Sequence, residues 1–138
     1  MTRLETDPQR SALMRRVRRS GTPAEDTVAR CCRLAGLAYR RNVRDLPGSP
    51  DLANKTRRFA IFVNGCFWHR HKGCRLATTP RRNAGFWQAK FAANRARDAR
   101  KIKELRIMGF RVAVIWQCQT RDETALLRRL AVFAARLE

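Results

Sequence analysis

The apolar positions of the chain change rhythm several times, and each change predicts an element. Val28, Cys31, Cys32 and Ala35 recur at helical spacing. Ahead of them Thr22-Pro23-Ala24-Glu25 offers a capping hydroxyl, a proline in the first turn and a glutamate three residues after the threonine. A helix is therefore predicted from Thr22 to Ala35, with Gly36 as its stop. Leu46-Pro-Gly-Ser-Pro50 is turn chemistry and delivers Asp51 at the start of an extended segment. The run 57–63 ends in a dense block of β-branched and aromatic residues, read as a buried strand, and 64–82 as a loop. Residues 83–108 read as one long helix closed by Gly109, 110–116 as a second buried strand, and 122–137 as a final amphipathic helix. The order α-β-β-α-β-α predicts an α/β fold, a single-domain mixed sheet flanked by helices. Residues 1–21 are polar and Arg-rich and read as a basic N-terminal arm, leaving 22–138 as the folded domain.

Charge narrows the function. The chain carries 31 Lys+Arg against 11 Asp+Glu, a formal net charge of +20. Such an excess repels itself in the compact state unless a polyanion offsets it, and nucleic acid is the commonest such partner. No apolar run approaches the length of a membrane span, and no basic amphipathic anchor or lipidation signal stands out, so no membrane partner is expected. The opening residues lack a hydrophobic signal core, from which a cytoplasmic protein is expected. In that compartment five cysteines point to metal ligands or buried thiols rather than disulfides. Cys31 and Cys32, adjacent on an apolar helix stripe, read as core filler.

Three groups of residues carry candidate chemistry. Cys66, His71 and Cys74 on one loop, with Cys118 just past the second strand, would satisfy tetrahedral Zn²⁺ with no open position, a structural site; the alternative is unrelated thiols. Large aromatics stand amid positive charge at Phe67-Trp68 and Phe86-Trp87, where they can wedge or stack against bases. Phe86 is expected to pack inward and Trp87 to face outward, sharing a side with Lys90, Asn94, Arg97, Asp98 and Lys101. That stripe suits phosphate near a metal or a general base, although a plain solvated face has the same pattern. Asp51, firmly placed at a sheet edge, is a candidate Mg²⁺ ligand. If His71 binds zinc, His69 is left to act as a base on water or merely to pack.

In series, Glu25, Leu46-Pro-Gly-x-Pro-Asp51, Gly65-Cys-Phe-Trp-His69, Phe86-Trp87-x-x-Lys90, Asn94-x-x-Arg97-Asp98 and Trp116-x-Cys118 resemble the very short patch repair endonucleases. The likeness covers about residues 10 to 120. It implies a fold like the type II restriction endonucleases, a structural zinc and Mg²⁺-dependent nicking of DNA 5′ of the thymine in a T:G mismatch, the product of 5-methylcytosine deamination. A cytosine-5 DNA methyltransferase is then the functional companion, with mismatch-repair proteins as further partners; the sequence itself gives no positive sign of a dimer, and a monomer is expected. By the same resemblance, Asp51 and the Val63 backbone hold Mg²⁺ and His69 is the base. Glu25 and Asp98 complete the active site, and Phe67, Trp68 and Trp87 wedge into the duplex. A T:G pair stacks poorly, so wedging there costs less than at a Watson–Crick pair.

The sequence departs from the family at Asn64, where members carry His or Asp beside the metal, at Val63 in place of a hydroxyl residue, and at Gln117 in place of Glu. The strand 57–63 also lacks the acidic-x-Lys half of the usual nuclease motif, as the family does. Two other readings stand beside this one: a restriction-like nuclease of other specificity, and a zinc-stabilised DNA-binding module with weak or lost cleavage, to which Asn64 points.

Overall fold

The structure is a computed structural model, and it describes residues 22–66, 71, 74 and 81–137. Helix α1 (Pro23–Leu34) begins as expected: the Thr22 hydroxyl accepts from the Glu25 N–H at 3.2 Å, and Glu25 Oε2 accepts from the Thr22 N–H at 2.8 Å. Four strands follow the order β1 (Arg40–Arg41), β2 (Leu52–Asn54), β3 (Phe59–Asn64) and β4 (Arg111–Trp116) both along the chain and across the sheet. β1–β2 and β2–β3 are antiparallel, and β3–β4 is parallel. Helix α2 (Ala84–Ile107) makes the crossover that a parallel pair requires, and α3 (Glu123–Arg136), capped by Asp122, ends the fold.

The expected mixed sheet flanked by helices is present, with two differences. The strand read from 57 starts at Phe59, because Arg58 lies in the left-handed region (φ 56°) and Asn54 Oδ1 accepts from the Arg57 N–H at 2.9 Å, making 55–58 a turn. β1 is an addition. Its two arginines carry no apolar alternation, and pairing with β2 alone defines it.

Residues of β3 alternate between two apolar layers, as a strand covered on both faces must. Phe59, Ile61 and Val63 join Val28, Cys31, Cys32, Leu126 and Leu130 beneath α1 and α3. Ala60 joins Leu46, Ala53, Leu105 and Phe110 on the α2 side, with Phe62 packed against them. Cys31 and Cys32 are buried in the first layer, and burial pushes the Cys32 thiol up to about 12, so both are core thiols as expected. No helix among the described residues is long and apolar enough to cross a membrane.

Candidate functional site at the ends of the parallel strands

Asp51 owes its place to the turn before it. Ser49 N–H donates to Leu46 O at 3.0 Å, and Gly48 (φ +77°) lies so close to α2 and β3 that a Cβ there would meet Lys101 Cβ at 3.0 Å and the Phe62 ring at 3.1 Å. Glycine is the residue that fits both the angle and the gap. Asn42 and Val43 donate their N–H groups to the carbonyls of Asp51 and Pro50, tying the turn back to the edge strand. The half-buried Asp51 side chain then reaches β3, where Oδ2 accepts from the Val63 N–H at 2.6 Å.

Behind Asp51 lies Glu25, only 2% exposed. One of its oxygens is occupied by the helix cap, while the buried Oε1 has no hydrogen-bond partner. Burial pushes the Asp51 carboxyl up to about 7, with the Val63 N–H opposing that rise and the neighbouring Glu25 adding to it. Two carboxyl groups facing each other with an oxygen unsatisfied form an arrangement that a cation relieves. The donor set of hard oxygens therefore fits Mg²⁺. Asn64, buried at the last position of β3, faces the same space and brings a neutral carboxamide.

In front of Asp51 opens a cleft of about 470 Å³. β3 supplies Val63 and Asn64 to its wall, and α2 supplies Asn94, Arg97, Asp98 and Lys101. The polar stripe is thus a cleft wall along its second half and not a plain solvated face. Arg44 and Asn42 also line the cleft and were not foreseen. They follow a two-residue strand, and nothing in the local pattern of residues marks that segment as facing Asp51.

The aromatic expectation at the start of α2 is reversed. Trp87 is 7% exposed and stacks on Phe91 (5.9 Å between ring centres), whereas Phe86 is 38% exposed. Lys90 lies over the Trp87 ring at 5.6 Å, and the Trp87 Nε1 is buried without a partner among the described residues. Burial by its surroundings, which helix spacing does not report, decides which of two adjacent rings turns inward.

Beyond the ends of β3 and β4, Cys66, His71, Cys74 and Cys118 place their ligand atoms within 4.8 Å of one another. His71 Nδ1 lies 3.6 Å from Cys66 Sγ and 3.3 Å from Cys118 Sγ. Ligand atoms at the corners of a zinc tetrahedron stand about 3.5 Å apart, so the set fits this ion. Its orientation is braced: the His71 ring stacks on Trp116 (4.3 Å, 9° between planes), the His71 backbone N–H donates to Cys66 O, and the Cys74 backbone N–H donates to His71 O. Gln117 Oε1 accepts from the Cys66 N–H at 3.4 Å. Burial, with the neighbouring thiols adding, pushes the Cys66 thiol up to about 12, a cost that a bound cation removes by taking the thiolate.

Phe67, Trp68 and His69 lie outside the described residues, as does the arm 1–21. Of the site residues expected from the sequence, the structure brings together Asp51, Glu25, Val63, Asn64, Asn94, Arg97 and Asp98 at one centre and the four zinc-type ligands at another.

Comparison with known proteins adds a separate line. Residues 3–75 match the profile of the family described as DNA mismatch endonuclease Vsr. Over 130 residues the chain is 43% identical to the type II nicking enzyme V.XorIIP of Xanthomonas oryzae, covering 94% of this chain and 95% of the relative. It is 38% identical over 117 residues to the DNA mismatch endonuclease Vsr of Escherichia coli, covering 85% and 74%. It is 32% identical over 130 residues to the type II nicking enzyme V.NmeAIP of Neisseria meningitidis, covering 94% and 92%.

Proposed function

The chain belongs to the DNA mismatch endonuclease Vsr family, and from that premise we propose that it nicks duplex DNA 5′ of the thymine in a T:G mismatch by Mg²⁺-dependent hydrolysis. The observation that carries the reading is the cleft in which the half-buried Asp51, backed by the buried Glu25, meets a cationic helix face. Asp51 and the Val63 backbone hold the cation, and Glu25 braces the site from behind. Asn64 accepts or donates one hydrogen bond beside it and adds no charge. When bound there, Mg²⁺ would supply Lewis-acid chemistry toward the phosphate. Arg97 and Lys101 neutralise the scissile phosphate, Asn94 and Lys90 hold flanking backbone, and Asp98 orients the polar groups of the wall. His69 takes the proton from the attacking water, a transfer suited to an imidazole near neutral pH.

Phe67, Trp68 and Trp87 form the wedge beside the mismatch. Trp87 reaches bases only by turning out from Phe91, so the exposed Phe86 ring is the first aromatic of α2 that a duplex meets. The four zinc ligands form a structural Zn²⁺ site. The protein works as a cytoplasmic monomer in very short patch repair, downstream of a cytosine-5 methyltransferase whose deaminated product creates the T:G pair, with mismatch-repair proteins as further companions.

An end-labelled duplex bearing one T:G pair, incubated with Mg²⁺ beside its matched counterpart, tests the reading. A single nick 5′ of the mismatched thymine supports it. Equal cutting of matched DNA replaces it with a restriction-like nuclease, and binding without cutting at any Mg²⁺ concentration replaces it with a DNA-binding module.

A further inference from the structure

The capping box that opens α1 has its glutamate on the inside. A capping-box carboxylate ordinarily lies at the surface, where water serves whatever oxygen the N-cap amide leaves free. Here Glu25 is 2% exposed, Oε2 accepts from the Thr22 N–H at 2.8 Å, and no N–H reaches the buried Oε1, which leaves the Glu25 carboxyl to interact with that of Asp51. Helix capping alone requires neither the burial nor the orphaned oxygen, and both are costly unless the free oxygen serves something else. What lies beside it is Asp51.

We propose that the Thr22 backbone N–H is a positioning group for the cation site: by pinning Glu25 Oε2 it fixes Glu25 Oε1 beside Asp51, so that the helix cap is also a brace of the metal centre. This inference rests on the Mg²⁺ reading above. With the N–H in place, one rotamer of Glu25 is held with its second oxygen toward the site. Without it, the carboxylate turns to recover a donor elsewhere and the site loses part of its negative charge. Thr22 touches neither substrate nor cation. It acts through Glu25.

Replacing Thr22 by proline removes the donor, together with the hydroxyl that accepts from the Glu25 N–H, in a backbone (φ −83°, ψ 160°) close to what proline adopts. Mg²⁺ binding to the zinc-loaded full chain, read by titration calorimetry without DNA, is expected to weaken about tenfold in Thr22→Pro, the scale of one hydrogen bond to a charged group. Thr22→Ala, which loses the hydroxyl and keeps the N–H, retains the parent affinity. Asp122→Ala strips the side-chain cap of α3 and lowers Tm while leaving Mg²⁺ affinity at the parent value. In a Glu25→Gln background Thr22→Pro adds no further loss. Undiminished affinity in Thr22→Pro, or an equal further loss in the Glu25→Gln background, overturns the proposal. Should Thr22→Pro not fold, amide exchange on the parent chain reads the same contact. Mg²⁺ slows exchange at Thr22 and not at the α3 cap amide of Ala125, and no slowing at Thr22 overturns the proposal. A parent chain that binds no Mg²⁺ removes the function proposed above as well, whereas parent binding with Thr22→Pro unaffected removes only the present inference.

Discussion

Asp51 accepts one short hydrogen bond from Val63 and faces a second acid, and its protonation follows from the balance between them. Its folded pKa of about 7 lies above the ordinary 3.8, so protonating it stabilises the cation-free fold. That contribution is fully present below pH 4 and is lost as pH rises through 7. Mg²⁺ must displace the proton. Its apparent affinity is therefore expected to fall about tenfold per pH unit below 7 and to level off above it, with proton release visible in calorimetry across buffers of different ionisation enthalpy. Asp51→Ala is expected to lower nicking by about a thousandfold or more, the scale of a lost Lewis acid, while gel-shift affinity for the duplex stays near the parent value. Gly48→Ala forces a methyl group against Lys101 and Phe62 at a positive φ. It should cost about 1–3 kcal/mol in urea unfolding and reduce nicking together with stability, because the same turn carries Asp51. The Pro-Gly-Ser-Pro turn made the position of Asp51 legible, since its residue types permit little else. The burial of Glu25 was not legible, because the same capping box suits a surface helix.

At the scale of elements, the parallel pair is what joins the two centres. β3 ends at Asn64, paired with Trp116 at the end of β4, so Cys66 and Cys118 leave the sheet side by side. A zinc ion there ties together strands separated in sequence by the whole of α2. Denaturation is expected to release about one zinc per chain, measured with a chromogenic chelator. Cys118→Ala should lower Tm by several degrees and weaken nicking without altering any residue of the cleft. The long helix, the two buried strands and the final helix could all be read from apolar rhythm, because each buries a continuous face. β1 could not, since two exposed arginines have no rhythm. The orientation of Phe86 and Trp87 was misjudged for a related reason: neighbours on a helix differ by about 100° in direction, and what packs against them chooses between them.

For the whole molecule, the net charge of +20 makes association with any duplex strongly salt-dependent. Arg97 lines the cleft wall, whereas Arg128 lies on α3, the helix packed with α1 on the other face of the sheet. Arg97→Gln should therefore reduce the slope of log affinity against log salt by about 0.9, and Arg128→Gln should change it less, as measured by fluorescence anisotropy. Equal effects would mean that the charge acts as a diffuse cloud and not through a defined face. The length of α2 carries a further consequence. Its 24 residues make a rod about 36 Å long, close to the axial rise of one full turn of B-form DNA. The stretch from Trp87 to Lys101 covers about 21 Å of it, the height of about six stacked base pairs. Laid along a duplex axis, a helix of this length would match one turn, with its polar stripe spread over a handful of base-pair steps.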